Sequence, residues 1–178
     1  MCIRDSPYTK EVATYCTPFS CKDKDLDEFF ARDALLYGTE LLGKTYAWVS
    51  SENTRQILGI ITLANDSVKS QHIANSAKNR LQRGVPNAKR GINFPAVLIG
   101  RLGVSSEFRG KGLNVGSQIL DFVKDWFRSE DNKTGCRFIV VDAYSNPRTL
   151  HFYEKNGFKP LYKTEKEERD FLQLKSDE

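Results

Sequence analysis

The sequence is poor in the residues that build metal sites and disulfide frameworks. It has two histidines, His72 and His151, and four cysteines, Cys2, Cys16, Cys21 and Cys136. The cysteines form no C-x-x-C pair and the histidines stand far apart, so no metal site is expected and reduced thiols in a cytoplasmic chain are the simpler reading. No run approaches the roughly 20 apolar residues of a membrane span. The first residues lack the apolar core of a signal peptide. There are no internal repeats and no low-complexity segments. Net charge is only +4, which excludes a chain that is basic throughout. One absence is local: from Ser67 to Ser106 there is no Asp or Glu, while the same span holds Lys69, Lys78, Arg80, Arg83, Lys89, Arg90 and Arg101.

What is present is ample core material. Eleven Phe, seven Tyr and two Trp in 178 residues can fill one buried core, and the length is short for two. A single domain over residues 1–178 is expected. Residues 1–10 are left outside the expected fold, as a disordered or non-native lead. Residues 65–93 are read as a basic insertion containing a short helix near Ile73 to Leu81.

Along the chain, Val12 to Phe19 alternates weakly and is predicted as a first strand. Asp25 to Leu36 has acids in its first turn and apolar residues at helical spacing, which predicts an amphipathic helix. Thr45 to Ser50 and Gln56 to Ala64 read as a hairpin. Ala96 to Val104 reads as a central strand and about Gly112 to Phe127 as a long helix. Arg137 to Ala143 is predicted as a buried strand from its β-branched run. Pro147 opens a helix that ends near Asn156-Gly157. Phe158 to Tyr162 and Asp170 to Leu174 are the last expected strands. This order suits an α/β (mixed α+β) fold: a mixed, mostly antiparallel sheet with helices on both faces.

Gly38 to Thr45, GTELLGKT, matches the phosphate-loop pattern G-x-x-x-x-G-K-[ST]. That mechanism needs a strand before the loop and a helix after it. Here the expected order is reversed, and Glu40 would face phosphate. The match is read as coincidence.

The informative stretch is Ile99 to Leu120. An apolar strand leads through Arg109-Gly110-Lys111-Gly112 into a helix. Free N–H groups at a helix start carry partial positive charge, and glycines let the backbone come close to an anion. A diphosphate would suit this loop. At these residues the chain resembles the acyl-CoA signature of the GNAT superfamily of N-acetyltransferases, Arg/Gln-x-x-Gly-x-Gly/Ala. Arg109 and Gly112 match, and Asn114 stands where Gly or Ala is usual. A second block, Asn146 to Phe158, resembles the family's later motif at Asn146, Tyr153, Gly157 and Phe158. Together the two blocks span Ala96 to Phe158, about a third of the chain.

The resemblance implies the GNAT fold and acetyl-CoA as cofactor. It implies that Leu102, Gly103 and Val104 hold the pantetheine arm, with an amide near Val104 polarising the thioester. Arg109, Gly110, Lys111, Gly112, Leu113, Asn114 and Val115 would hold the diphosphate. Asn146 would hydrogen-bond the pantetheine, and Tyr153 would protonate the departing thiolate as general acid. Taken alone, Tyr153 is an ordinary core tyrosine of an amphipathic helix; the paired motifs give it the catalytic reading. His151 and His72 are read as surface or packing residues.

Some members of the family carry a Glu on the central strand, yet Phe94 to Val104 holds no acid. A lysine amine near pKa 10.4 stays protonated at neutral pH, while an α-amine near 7.7–8.0 is substantially neutral. The missing carboxylate tilts the acceptor toward a low-pKa amine. The basic span adds attraction for a polyanion, with Arg80, Arg83, Lys89 and Arg90 as substrate candidates outside the cofactor signature. A solvated insertion is its plain alternative. PFSCKDKDLDEFFARDA and FPAVLIGRLGV further resemble the acetyltransferase toxins of toxin–antitoxin modules. That resemblance implies the α-amine of aminoacyl-tRNA as acceptor, an antitoxin as partner and, as a further option, a homodimer; no membrane is expected. The alternatives are acetylation of a small amine or a protein N-terminus, and a non-catalytic acyl-CoA-binding module.

Overall fold

Apolar residues at alternating positions build a sheet whose two faces take different partners. The computed structural model describes residues 3–53, 55–69, 73, 78–79, 81, 83, 85 and 93–160. Among these residues five strands lie in the order β1-β2-β3-β4-β5: β1 Ile3–Pro7, β2 Lys44–Ser50, β3 Ile57–Lys69, β4 Asn93–Val104 and β5 Phe138–Val141. β1 and β2 pair antiparallel, as do β2 and β3. Ser105 N donates to Leu58 O, while Gly100 lies against Thr62 O, so β3 and β4 also run oppositely. β5 joins β4 in parallel. The sheet is mixed and mostly antiparallel, as expected.

Two units divide the chain: 1–66 with 96–142, and 67–95 with 143–178. In the first, helices cover both faces of the sheet. On one side lie α1 (Lys10–Tyr15), α2 (Lys24–Glu28), a π-helical turn Phe29–Asp33 and α3 (Ala34–Thr39). Phe29, Phe30 and Ala34 pack there with Ala47, Val49, Ile57 and Ile60. On the other side lies α4 (Val115–Arg128), which buries Val115, Ile119, Leu120 and Val123 at helical spacing. Its Phe122 meets Trp48 edge-on at 5.4 Å, and Trp126 meets Tyr46 at 4.9 Å. Each fully buried aliphatic or aromatic side chain contributes about 1.5–3 kcal/mol. The second unit contains α5 (Pro147–Lys155).

Several expectations change. The strand predicted as buried over Arg137 to Ala143 forms as β5, but all four of its residues are only half-buried, and β3 continues to Lys69, into the span read as an insertion. The predicted first strand, Val12 to Phe19, begins instead as helix α1, because Thr9 accepts from Val12 N and caps it. Ile3–Pro7, left outside the expected fold, supplies the edge strand β1. The helix predicted over Asp25–Leu36 is real but contains a π turn, closed by Ala34 N–H on Phe29 O. The extra residue in that turn lets consecutive Phe29 and Phe30 both face the core. The Gly38–Thr45 match has the reversed order argued above, with α3 ending at Thr39 and β2 starting at Lys44, although Gly38, expected to break the helix, lies within α3. Asp170 to Leu174 lies outside the described residues, as do His72, Arg80, Lys89, Arg90 and most of the predicted 73–81 helix. Of the expected strand Phe158 to Tyr162, only 158–160 is described, and it is irregular.

Candidate functional site

β5 pairs with β4 only from Ala96 to Ile99. β4 continues to Val104, so Gly100 to Val104 have no β5 partner. Among the described residues the strand therefore offers one edge of backbone donors and acceptors over the Leu102-Gly103-Val104 stretch named by sequence. Gly103 is required by packing here: an added Cβ would lie 2.9 Å from Phe30 Cε2 and 3.2 Å from Phe19. The π turn sets that Phe30 position, and the Tyr8 hydroxyl donates to Phe30 O at 3.1 Å.

The loop after β4 has an alternating backbone. Gly110, Gly112 and Asn114 have φ of +79°, +75° and +48°, and the residues between them are ordinary. Alternation of this kind turns successive N–H groups inward and forms an anion-binding nest. A Cβ at Gly110 or Gly112 would meet nothing, so conformation and not crowding selects glycine there. Asn114 meets the same demand, because Asn tolerates the left-handed region better than most residues. It caps α4 without a side-chain hydrogen bond, which keeps the first amides of α4 available to an anion.

Arg109 behaves differently from a free phosphate ligand. Its Nη2 donates to Cys21 O at 2.8 Å and to Val104 O at 3.1 Å. It ties the loop to the end of β4 and to the segment before α2. Ser106 N donates to Ser20 O, and Asp27 accepts from Cys21 N at 2.7 Å and from the Ser20 hydroxyl at 2.8 Å. Burial opposes ionisation of Asp27, but these hydrogen bonds outweigh it and hold the carboxyl below its usual value. Burial, with the Asp27 hydrogen bond, pushes the Cys21 thiol up to about 11, which makes it an inert structural group. Lys111 is exposed beside the nest, its ammonium 5.9 Å from the Phe108 ring centre.

In the second unit, Asn146 is the N-cap of α5, its Oδ1 accepting from Thr149 N at 2.9 Å. Its amide nitrogen is not used by the cap. Tyr153 is half-buried between Phe152 and Phe158, with ring centres 5.1 and 5.4 Å away. Gly157, with φ +83°, ends the helix so that Phe158 N returns to Tyr153 O at 3.0 Å. Burial pushes the Tyr153 hydroxyl up to about 12. Among the described residues that hydroxyl makes no hydrogen bond. It is a group that keeps its proton and has one to donate.

The family model described as "Acetyltransferase (GNAT) domain" matches residues 44–160. The chain belongs to the GNAT acetyltransferase family. Solved structures with a similar fold include AtaT complexed with acetyl-methionyl-tRNAfMet (TM-score 0.67, 20% identity, covering 90% of this chain and 89% of that chain). A tyrosine-to-phenylalanine variant of KacT is also similar (TM-score 0.69, 22% identity, 92% and 90%). So is an AtaT variant bound to the C-terminus of the antitoxin AtaR and acetyl-CoA (TM-score 0.63, 20% identity, 90% and 87%). At these identities the likeness establishes a shared fold.

Within this GNAT domain the structure brings Leu102 to Val104 and the 109–115 loop into one continuous stretch. Arg83 is exposed in a turn; Arg80, Lys89 and Arg90 lie outside the described residues. Sequence reasoning missed the brace of Ser20, Cys21 and Asp27. Its only signal was the capping pattern of Asp23 before α2, which says nothing of a distant loop. His151 is exposed, as read. Among the described residues there is no metal-binding cluster, and no helix is long and apolar enough to cross a membrane.

Proposed function

We propose that this protein acetylates the α-amine of an aminoacyl-tRNA, with acetyl-CoA as donor. The observation that carries the donor half is the open β4 edge running into an alternating N–H nest at a helix start. The amide groups of a pantetheine arm complement a strand edge, as in strand addition, and a diphosphate complements the nest. Acetyl-CoA supplies the acetyl thioester and leaves as the free thiol.

Each residue has a definite task in this reading. Amides of Leu102 to Val104 orient the arm, and the one near Val104 donates to the thioester oxygen. Gly110 to Val115 hold the diphosphate, and Arg109 keeps their loop in register with β4. The Asn146 amide nitrogen donates to the arm while its oxygen caps α5. The Tyr153 hydroxyl gives its proton to the sulfur as the C–S bond breaks and the N–C bond forms; water takes the proton lost by the amine. Tyrosine-to-phenylalanine variants of both KacT and AtaT have been solved, which supports attention to this hydroxyl.

The acceptor half rests on three supports: the acid-free basic span, the absence of a strand carboxylate to deprotonate a lysine, and the AtaT complex with acetyl-methionyl-tRNAfMet. The whole chain acting as one GNAT domain, a location in the cytoplasm where charged tRNA and acetyl-CoA occur, and an antitoxin partner belong to the same reading. The antitoxin is supported by the AtaT–AtaR complex. The test is thiol release from acetyl-CoA with charged tRNA, free amines and peptides side by side. Acetylation of charged tRNA above the others carries the reading. A preference for small amines or peptide N-termini replaces the acceptor, and failure to bind acetyl-CoA sinks the whole.

A further inference from the structure

Arg101 is a full charge in the central strand. It shares a strand face with Gly103, two residues on, and so lies on the side of α2 and α3, opposite α4. Its guanidinium covers the Phe29 ring at 5.2 Å, and Nη1 donates to its neighbour Gly100 O at 2.8 Å. Nε is buried, and among the described residues it has no hydrogen-bond partner. Among the described residues its carboxylate partner is Asp25, whose Oδ2 stands 4.0 Å away, an ion pair by distance but too long for a hydrogen bond. The Arg101 side chain is 41% exposed and that of Asp25 66%. A pair this open contributes little to stability, so it does not explain a cation in a core strand.

Position supplies an explanation. The β4–β5 ladder ends at Ile99, two residues before Arg101. The guanidinium therefore stands where the strand edge opens, on the face away from α4. Its edge from Nε to Nη2 is a planar fork without a tight partner among the described residues, suited to an oxyanion.

We propose that Arg101 is a specificity-determining residue of the acceptor side. It binds an anionic group of the acceptor, which in a charged tRNA is the phosphodiester preceding the aminoacylated ribose. Asp25 holds the guanidinium until the phosphate replaces it. This rests on the aminoacyl-tRNA reading and assigns that reading a selecting residue.

The measurement is the ratio of kcat/KM for charged tRNA to kcat/KM for an aminoacyl ethyl ester, which carries the same amine and no phosphate. Arg101→Gln should lower this ratio by about tenfold to a hundredfold, the range of a hydrogen bond to a charged group. Arg101→Lys should restore part of it, because charge returns without the fork. Asp25→Asn should raise it by freeing the guanidinium. Acetyl-CoA affinity, measured by calorimetry, should stay within about twofold throughout, since a tenfold change would need about 1.4 kcal/mol of lost contact. An unchanged ratio in Arg101→Gln overturns the proposal, and so does a parallel loss of acetyl-CoA affinity, which would mean that Arg101 only braces β4. If Arg101→Gln does not fold, an unchanged ratio in Asp25→Asn overturns it alone. If the wild-type protein acetylates the ester but no charged tRNA, the acceptor reading itself fails and Arg101 loses this role with it.

Discussion

Tyr153 combines a half-buried ring, a raised pKa and a hydroxyl with no hydrogen-bond partner among the described residues. Its folded-state pKa lies above the unfolded value near 10, so the unfolded chain loses this proton first. Stability contributed by the neutral form is therefore complete below about pH 10 and lost as pH rises toward about 12. Any alkaline fall in kcat below about pH 10 must come from another group, and the acid limb should follow the acceptor amine. Tyr153→Phe keeps the packing with Phe152 and Phe158; kcat should fall about 10²–10⁴-fold at unchanged acetyl-CoA affinity. An unchanged kcat in single-turnover assays removes Tyr153 from catalysis. Gly112 tests the donor side. Since a Cβ there meets nothing, Gly112→Val costs mainly conformational energy, about 1–2 kcal/mol for a left-handed β-branched residue. Acetyl-CoA affinity should drop by about tenfold or more while kcat at saturation changes less, because the distorted nest binds without reacting. Equal affinity in calorimetry would show that the diphosphate lies elsewhere.

Elements differ in how openly the sequence declares them. α4 was legible because Val115, Ile119, Leu120 and Val123 repeat at helical spacing, and β2 to β5 because their apolar runs are bounded by turns. The Arg109-to-Asn114 loop was legible from its glycines, and its structure also accounts for Asn114, which takes a left-handed conformation at the start of α4. α1 was misread because Thr9, a single capping residue, outweighs a weak alternation. The π turn has no local signature; it follows from the need to bury Phe29 and Phe30 together, a tertiary cause. In the brace from Asp27 through Cys21 to Arg109, the Arg109–Cys21 bond joins residues 88 apart, and no periodicity reports such a bond. Asn146 has two tasks on one side chain, and substitution separates them. Asn146→Asp keeps an oxygen for Thr149 N, so α5 should melt as before. It replaces the amide donor with an acid and should weaken acetyl-CoA binding by about tenfold, the worth of one hydrogen bond. Asn146→Ala should lose the cap as well, at about 1 kcal/mol. Wild-type acetyl-CoA affinity in Asn146→Asp would leave Asn146 a cap alone.

Over the whole molecule, charge is nearly balanced but unevenly placed. Acids concentrate before Asp66 and after Glu107, and the span between carries only cations. Arg80, Arg83, Lys89 and Arg90 stand outside the cofactor signature, so charge there should act on the acceptor and leave acetyl-CoA alone. Reversal of these four to Glu should raise KM for charged tRNA. It should also flatten the salt dependence, because each lost phosphate contact lowers the slope of log K against log salt by about one. Two mechanisms compete at this scale. A long-range field attracts any polyanion and fades within about 8–10 Å at physiological salt. Direct contacts neutralise particular phosphates and set the slope. The slope therefore separates them: a lower affinity at unchanged slope means steering, and a shallower slope means contact. KM for acetyl-CoA should move little, and an aminoacyl ethyl ester, which offers no phosphate, should lose far less than the tRNA. If tRNA acetylation by the reversed protein matches that of the wild type at every salt concentration, the basic span is a solvated insertion. Selection of the acceptor would then fall to groups beside the open β4 edge, with Arg101 first among them.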